Sequence, residues 1–183
     1  MTSTAAKVEA TLRSLFPVEV AVAAERIGDA DTAALWPAEQ SAVAGAVPAR
    51  VAEFAAGRAA ARRVLAALDE TPTSLPMGKD RAAIWPFGVS GSIAHAAGYA
   101  VAVARRGPPV GVDLEDDGSI AEDLWSVICT ESELGRLPAR AGREVKRIFC
   151  AKEAVFKAQV PNLRAMFGHE ILDVTLAEPH FHA

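Results

Sequence analysis

Two acidic residues separated by a single position, Asp113 and Glu115, are the pattern in this 183-residue sequence that most directly suggests chemistry. In a β-strand, alternate side chains point to the same face, so the two carboxylates would converge and repel each other at neutral pH. A hard divalent cation offsets this repulsion, and proteins commonly hold Mg²⁺ with one or two carboxylates plus substrate phosphates. The alternative is an exposed strand end that runs into an acidic loop at residues 116–118.

Arg58 interrupts the apolar face of a helix that the sequence predicts over residues 49–68. The apolar stripe of that helix comprises Val51, Phe54, Ala61, Leu65 and Leu68. A guanidinium on a buried face needs an anionic partner, because an unpaired buried charge is costly. The alternative is that Arg58 lies at the solvent end of the stripe and extends into water.

A second predicted helix, over residues 143–159, shows the same interruption. Its apolar stripe comprises Val145, Ile148, Phe149, Val155 and Phe156. Lys152 lies at the centre of the stripe and Glu153 on its flank. Glu153 and Lys157 are also four residues apart, which is the spacing of an ordinary surface ion pair worth at most about 0.5 kcal/mol.

Charge is unevenly distributed along the chain, although the formal net charge is only −4 and the pI about 5.6. Residues 111–133 contain eight acidic residues and no Lys or Arg. Residues 40–110 and 134–164 each contain eight Lys or Arg, against four and two acidic residues. The overall balance argues against a general nucleic-acid-binding protein, so an anionic ligand would have to bind at a local basic cluster.

Composition also bears on the cellular compartment of the chain. The two cysteines lack the spacing of a zinc site and indicate a reduced, cytoplasmic chain, and charged residues interrupt the first fifteen positions, unlike a secretory signal. Residues 82–104 carry no Asp, Glu, Lys or Arg and are long enough for a membrane span, but their prolines and glycines predict turns and short strands instead. We therefore expect no contact with a membrane.

Familiar catalytic loops are missing from the sequence. It contains neither the phosphate-binding GxxxxGK[ST] loop nor the dinucleotide-binding GxGxxG, and the GVSGS at residues 88–92 is only superficially similar to a hydrolase nucleophile elbow. His95 fits either a core histidine or a phosphate contact. His169, His180 and His182 lack partners at metal-ligand spacing and are interpreted as structural or exposed.

Apolar periodicity and proline positions predict an α+β fold in which helices pack on small antiparallel strands. Helices are predicted before Pro17, from Pro37, over residues 49–68 and over residues 143–159, the last ending near Pro161. Strands are predicted over residues 18–23, 91–95, 99–105, 109–115 and 170–176, with a hairpin connection at residues 106–108. Capping boxes at Ser119 with Glu122 and at Thr130 with Glu133 predict two further helix starts.

Four blocks of the sequence together resemble the 4′-phosphopantetheinyl transferases, in the branch typified by the enterobactin synthetase component. The blocks are Gly57-Arg58, WPFGVSGSIAH at residues 85–95, GVDLE at residues 111–115 and FCAKEAVFK at residues 149–157. Their order and spacing match over residues 35–176. GVDLE alone would be a weak signal, whereas the combination is specific.

The resemblance implies an enzyme that transfers the phosphopantetheine arm of coenzyme A to a serine of an apo acyl or peptidyl carrier protein and releases adenosine 3′,5′-bisphosphate. It implies that Asp113, Glu115 and Glu153 hold Mg²⁺ against the coenzyme A pyrophosphate, with Glu153 also the general base. Lys152 would contact the pyrophosphate as a second catalytic residue. The other expected coenzyme A contacts are Arg58, Ser92, His95 and Lys157, followed by Arg50 and Arg81.

The resemblance also implies a pseudo-twofold pair of α/β lobes with coenzyme A at their junction. We expect an N-terminal lobe over residues 1–107 and a C-terminal lobe over residues 108–183, the latter shortened relative to the family. The expected partner is an acidic carrier protein, for which Arg140, Arg143 and Lys146 offer surplus positive charge. The chain is expected to be a monomer.

Three departures from the family pattern leave other functions open. Ala94 replaces a Ser or Thr, Ala83 replaces a common proline, and the chain ends soon after the strand predicted at residues 170–176. One alternative is a shortened homologue that binds coenzyme A or a carrier protein with little or no turnover. Another is an unrelated Mg²⁺-dependent phosphohydrolase that uses the same acidic pair.

Overall fold

The computed structural model describes residues 4–163, 172–177 and 180–182. Its helices are α1 (Thr4–Leu15), α2 (Pro37–Gln40), α3 (Pro48–Ala67), α4 (Trp125–Ile128), α5 (Glu131–Arg136) and α6 (Gly142–Leu163). Its strands are β1 (Ala21–Arg26), β2 (Val89–Ala96), β3 (Tyr99–Arg106), β4 (Thr175–Ala177) and β5 (His180–His182). The strands form one antiparallel sheet in the order β1-β3-β2 and one antiparallel pair, β4-β5. The α+β prediction is confirmed.

The three-stranded sheet is buried on both faces along its central strand, β3. Ala102 and Ala104 pack toward α3, while Val101 and Val103 pack toward α1 and the segment at residues 110–112. Alternate residues of a strand point to opposite faces, so a strand covered on both sides needs apolar residues at every position. The uninterrupted AVAVA sequence of β3 meets this requirement.

Helix α3 lies close to the sheet because small residues line its buried face. Ala56, Ala60 and Ala61 are fully buried, and Pro48 occupies the first helical turn, where a missing N–H costs nothing. A Cβ at Gly57 would stand 3.0 Å from Cγ2 of Ile93 on β2. This close contact brings α3 against β2 at the residue before Arg58.

The prediction of a hairpin at residues 106–108 was wrong. The hairpin joins β2 to β3 through Ala97 and Gly98, both of which have positive φ, as in the two-residue turns that match the twist of antiparallel strands. Residues 109–115, predicted as a strand, form no strand ladder; Pro108 and Pro109 supply no N–H donors there. Ser92 Oγ instead donates to Val112 O at 3.4 Å.

Side chains cover the open edge of β1. Glu9 on α1 accepts the Ala24 N–H at 3.0 Å, and Arg13 donates to the Val20 carbonyl. Arg63 on α3 donates to the Ala24 carbonyl at 3.0 Å. An open strand edge is a template for another chain, and charged side chains bound along it block that pairing.

Helix α6 packs tightly on the segment that carries Asp113 and Glu115. A Cβ at Gly111 would stand 1.9 Å from the Ala154 carbonyl oxygen, so only glycine allows the two backbones this separation. The contact holds the acidic pair beside the middle of α6.

The C-terminal region has its own core, in which Ile128, Val145, Ile148 and Val174 are buried together. The Thr130–Glu133 capping box is confirmed at the start of α5. The Ser119–Glu122 box was wrong: a short 3₁₀ turn begins at Glu122 after Ala121, while Ile120 N binds Gly142 O.

The remaining predictions of helices and strands agree with the structure only in part. Helix α6 continues through Pro161 to Leu163, past the end predicted near that proline. Of the strand predicted at residues 170–176, Thr175 and Leu176 lie in β4, residues 172–174 form no strand, and residues 170–171 lie outside the described residues, as does His169. His182 is exposed on β5. Among the described helices, none combines the length and apolar character of a membrane span.

Candidate functional site

A cavity of about 520 Å³ opens between α3, β2 and α6. The residues predicted to contact coenzyme A, other than Lys152, line it together with the predicted metal ligand Glu153: Arg50, Arg58, Arg81, Ser92, His95 and Lys157. These residues come from segments more than a hundred positions apart, and the fold brings them to one surface. Small-molecule sites commonly have this size and combine apolar walls with a few convergent polar groups.

Arg58 is buried, with 5% of its surface exposed, yet it lines the cavity. Its Nε donates to the Leu75 carbonyl at 2.6 Å, and its guanidinium lies 4.0 Å from the centre of the Phe54 ring. Burial lowers the pKa of Arg58 to about 10, and the nearby Glu39 carboxylate partly offsets that effect. The sequence predicted an anionic partner; the direct contacts are instead a neutral carbonyl and an aromatic face, and the guanidinium lines the cavity with its positive charge.

Arg50, Glu53 and His95 form a polar group at the cavity wall. Arg50 Nη1 lies 2.7 Å from His95 Nε2 and 3.2 Å from Glu53 Oε2. A guanidinium can only donate, so in this arrangement His95 Nε2 accepts and the ring proton lies on Nδ1. All three side chains are partly exposed, and their contacts with one another hold them at the cavity.

Trp85 forms another part of the cavity wall. Its ring packs on Gly91 so closely that a Cβ there would stand 2.5 Å from Cε2. Arg81, at a positive φ of 66°, lies on the same side, on an exposed loop. The WPFG sequence and the glycine of the following strand therefore act together, since the glycine makes room for the indole.

Asp113 and Glu115 line a smaller cavity of about 270 Å³ that shares His95, Glu153 and Lys157 with the larger one. Two lysines of α6 neutralise the acidic pair. Lys157 Nζ lies 2.6 Å from Asp113 Oδ1, and Lys146 Nζ lies 3.3 Å from Glu115 Oε2 and 3.1 Å from Asp116 Oδ1. The repulsion expected between the carboxylates is thus offset by lysines in this structure.

The carboxylates nevertheless have features that suit a divalent cation. The Asp113 side chain is only 7% exposed, and its Oδ2 is buried without a hydrogen-bond partner in the described part of the chain. Asp113, Glu115 and Glu153 offer hard oxygen ligands on one small cavity. In the arrangement described, however, no three His, Cys, Asp or Glu side chains are gathered closely enough to hold a metal ion.

Lys152 does not reach the cavity, and the expectation that it contacts the pyrophosphate is corrected here. Its side chain is 1% exposed, and Nζ donates to Glu133 Oε2 at 2.7 Å and to the Ile128 carbonyl at 2.8 Å. It lies one position before Glu153, so a rotation of about 100° along α6 directs it into the core of the C-terminal region. A buried carboxylate on α5 compensates its charge there.

The sequence reasoning did not assign roles at this site to Cys150, Glu53 or Glu39, and it considered Lys146 only for a carrier protein. Lys146, Cys150, Glu153 and Lys157 follow a spacing of four, three and four residues, which places them on one face of α6. That spacing was the signal in the sequence by which these residues could have been placed at one site. Burial and the neighbouring carboxylates, Asp113 first, raise the pKa of the Cys150 thiol to about 12 and keep it protonated at neutral pH.

Two family profiles match adjoining parts of the chain. The family profile for the 4′-phosphopantetheinyl transferase N-terminal domain matches residues 38–105, and that for the 4′-phosphopantetheinyl transferase superfamily matches residues 109–181. The chain belongs to the 4′-phosphopantetheinyl transferase superfamily. The two matches meet between β3 and the acidic segment.

Several curated relatives carry that name or a related one. The chain is 38% identical to 4′-phosphopantetheinyl transferase Svp of Streptomyces mobaraensis, over 69% of this chain and 55% of the relative. It is 35% identical to 4′-phosphopantetheinyl transferase Npt of Nocardia iowensis, over 76% and 65%. It is 36% identical to enterobactin synthase component D of Escherichia coli K12, over 68% and 62%. The matched part therefore covers between 55% and 65% of these relatives.

Proposed function

We propose that this protein transfers the 4′-phosphopantetheine group from coenzyme A to a serine of an apo acyl or peptidyl carrier protein. The observation that carries the proposal is the convergence of Arg58, His95 and Lys157 on one cavity that also borders Asp113, Glu115 and Glu153 through the adjoining smaller cavity. Positive side chains fit a polyanionic substrate, and a set of carboxylates beside them fits metal-assisted phosphoryl chemistry.

In this proposal the serine oxygen of the carrier protein attacks the β-phosphorus of coenzyme A. The bond from that phosphorus to the bridging oxygen breaks, adenosine 3′,5′-bisphosphate leaves, and Glu153 accepts the serine proton. Arg58 and Arg50 bind the anionic substrate and hold it for in-line attack. Lys157 exchanges its present partner, Asp113, for a phosphate oxygen and so stabilises the charge that develops there.

A divalent cation, which we propose to be Mg²⁺, belongs on Asp113, Glu115 and Glu153. Bound there, it would neutralise charge on the pyrophosphate. The buried, unpartnered Oδ2 of Asp113 supports this assignment among the described residues. Binding requires Lys157 and Lys146 to withdraw from the two carboxylates that they now contact.

We also propose that the chain comprises two related lobes that meet after residue 107. Each side has a fully buried glutamate, Glu39 before α3 and Glu133 before α6, that accepts a distant backbone N–H and a cation from the long helix of its own side. A repeated device of this kind supports a duplicated architecture.

Mass spectrometry of an apo carrier protein incubated with coenzyme A and Mg²⁺ tests the transfer. We expect a mass gain of one phosphopantetheine group that requires both components and is abolished by Asp113→Ala and Glu153→Gln. The matched control is Asp123→Asn, which removes an exposed carboxylate from the same acidic segment and leaves the transfer intact. Wild-type turnover in Glu153→Gln would contradict the assignment of Glu153.

A homologue that binds coenzyme A or a carrier protein with little or no turnover is the second candidate, because lysines occupy Asp113 and Glu115 and no three metal-ligating side chains are gathered among the described residues. Calorimetry with coenzyme A, together with the mass measurement, separates the two candidates. Binding of coenzyme A with no mass gain on any of several acidic carrier proteins would favour this second candidate. Release of inorganic phosphate would indicate a phosphohydrolase instead.

A further inference from the structure

Glu39 is a fully buried carboxylate that does not line the cavity. It accepts four hydrogen bonds: two from Arg62 Nη1, both at 3.0 Å, one from Trp36 N at 3.0 Å and one from Leu75 N at 2.9 Å. A carboxylate that accepts four hydrogen bonds from three donor nitrogens has a fixed position. Glu39 is therefore a rigid anchor between α2, α3 and the loop that contains Leu75.

The backbone of Leu75 links Glu39 to the cavity. Its N–H is held by Glu39 Oε1 at 2.9 Å, and its carbonyl accepts from Arg58 Nε at 2.6 Å. Leu75 is itself fully buried in the main core, so the residue between the two side chains has little freedom. The chain from Glu39 through Leu75 to Arg58 consists of two short, buried hydrogen bonds.

Arg62 forms the ion pair with Glu39 through both oxygens, and Glu39 acts on Arg58 only at longer range. Arg58 is left with a neutral carbonyl and the Phe54 ring as its contacts, and its Nη atoms have no hydrogen-bond partner within the described ranges. The Leu75 carbonyl thus sets the direction of the guanidinium without cancelling its charge. A preorganised cation loses less entropy when it binds an anion.

We propose that Glu39 is a positioning residue for coenzyme A: by holding Leu75, it directs the Arg58 guanidinium into the cavity. This inference rests on the proposed function, because it takes coenzyme A as the anion that Arg58 meets. Glu39→Gln tests it, since an amide nitrogen placed among three donor nitrogens cannot reproduce the anchor. The Leu75 loop then shifts, and Arg58 loses its fixed direction.

A double-mutant cycle distinguishes positioning from a general loss of stability. Calorimetry without metal measures the Kd for coenzyme A in wild type, Glu39→Gln, Arg58→Met and the double variant. We expect Glu39→Gln to raise the Kd about tenfold in the wild-type background and less than about twofold in the Arg58→Met background, because coupled residues are not additive. Equal losses in both backgrounds, or no loss in either, would overturn the proposal.

Glu133→Gln is the matched control, because Glu133 is an equally buried carboxylate that accepts two backbone N–H groups and a cation. It should lower stability to a similar extent and leave the Kd for coenzyme A within about twofold of wild type. A tenfold loss in this control would show that Glu39 acts only through stability, and would overturn the proposal.

A measurement on the wild type alone covers the case in which Glu39→Gln does not fold. In a ¹⁵N-arginine sample, the Nε–H of Arg58 should exchange with water at least about tenfold more slowly than that of exposed Arg81, because it is buried against Leu75. Equal exchange rates would overturn the proposal. If wild type fails to bind coenzyme A, both the proposed function and this inference fail. If wild type binds coenzyme A and transfers normally, an unchanged Kd in Glu39→Gln overturns this inference alone.

Discussion

Arg58 and Lys152 occupy similar positions in the two long helices, yet the structure uses them differently. Each lies ten residues after the first residue of its helix, α3 or α6, and each interrupts an apolar stripe. Lys152 turns inward and pairs with Glu133 inside the C-terminal region. Arg58 contacts a carbonyl and a ring, and its charge faces the cavity.

The difference follows from which cation takes the nearby buried carboxylate. On the N-terminal side Arg62, one turn further along α3, binds Glu39 and leaves Arg58 available. On the C-terminal side Lys152 binds Glu133 itself. A charge on an apolar helix face therefore predicts that a partner exists, but the neighbouring cations decide whether that partner is the protein or a ligand.

Removal of Lys152 should have the largest effect on stability. It tests whether Lys152 is a structural cation. Lys152→Met leaves Glu133 buried and unpaired, so we expect a loss of about 3–5 kcal/mol in the free energy of unfolding, measured in urea. The double variant Lys152→Met/Glu133→Gln should recover part of that loss because it removes the stranded charge. An unchanged unfolding free energy with lost transfer activity would instead return Lys152 to the site.

Gly111→Ala tests whether the cavity depends on both regions. Its Cβ would stand 1.9 Å from the Ala154 carbonyl oxygen, so α6 must move away from the acidic segment at a cost of about 1–3 kcal/mol. Coenzyme A affinity should fall as well, because α6 carries the Lys157 side of the cavity. Gly135→Ala is the control, since a Cβ there meets nothing within 4 Å, and it should leave both stability and affinity unchanged.

Arg58→Met should lower stability less than Lys152→Met does and should lower coenzyme A affinity more. It removes one hydrogen bond from a charged donor to the Leu75 carbonyl and keeps the apolar stem, so the unfolding free energy falls by about 2 kcal/mol, less than for Lys152→Met. Coenzyme A affinity should fall at least tenfold, because the lost group is a cation that faces the cavity. A large stability loss without an affinity loss would mean that Arg58, like Lys152, is a structural cation.

The exposed ion pair between Arg136 and Asp173, 2.5 Å apart, should contribute least. The hydrogen bond from Arg136 holds the pKa of Asp173 below its ordinary value. Its stabilising contribution is therefore present above the unfolded-state pKa of about 3.9 and is lost as the pH falls through the lower folded-state pKa. Urea titrations should show Asp173→Asn less stable than wild type at pH 7, with the difference shrinking as the pH falls below about 3.9. A constant difference would contradict the ion pair.

Local patterns predicted the elements better than they predicted the contacts between them. Pro48 and the stripe around Phe54 placed α3 within one residue at each end, and the Thr130–Glu133 box placed α5, because both signals act within one or two helical turns. The hairpin was misplaced because Arg106-Gly107-Pro108 competed with Ala97-Gly98, and an alanine at positive φ gives no sequence signal.

At the site, too, residue types were predicted better than contacts. The residue types at Asp113, Glu115, Glu153 and Lys157 were identified from the sequence, and these side chains do line adjoining cavities. The direction of Lys152 could not be read from its position, since it depends on Glu133, nineteen residues away on another helix. Glu39 escaped notice because its partners lie up to thirty-six residues away and one of them is a backbone N–H.

The attachment of α1 to the sheet has a consequence for the order in which the molecule opens. Helix α1 is bound to the β1 edge through Glu9 and Arg13, whereas β1 is joined to β3 by a full backbone ladder. Detachment of α1 exposes Leu12 and breaks these two side-chain contacts but none of the ladder hydrogen bonds, so a local fluctuation of this kind leaves the ladder intact. The amide proton of Ala24, which is held by a carboxylate rather than by a strand, would then exchange with solvent water earlier than the ladder amides of β3.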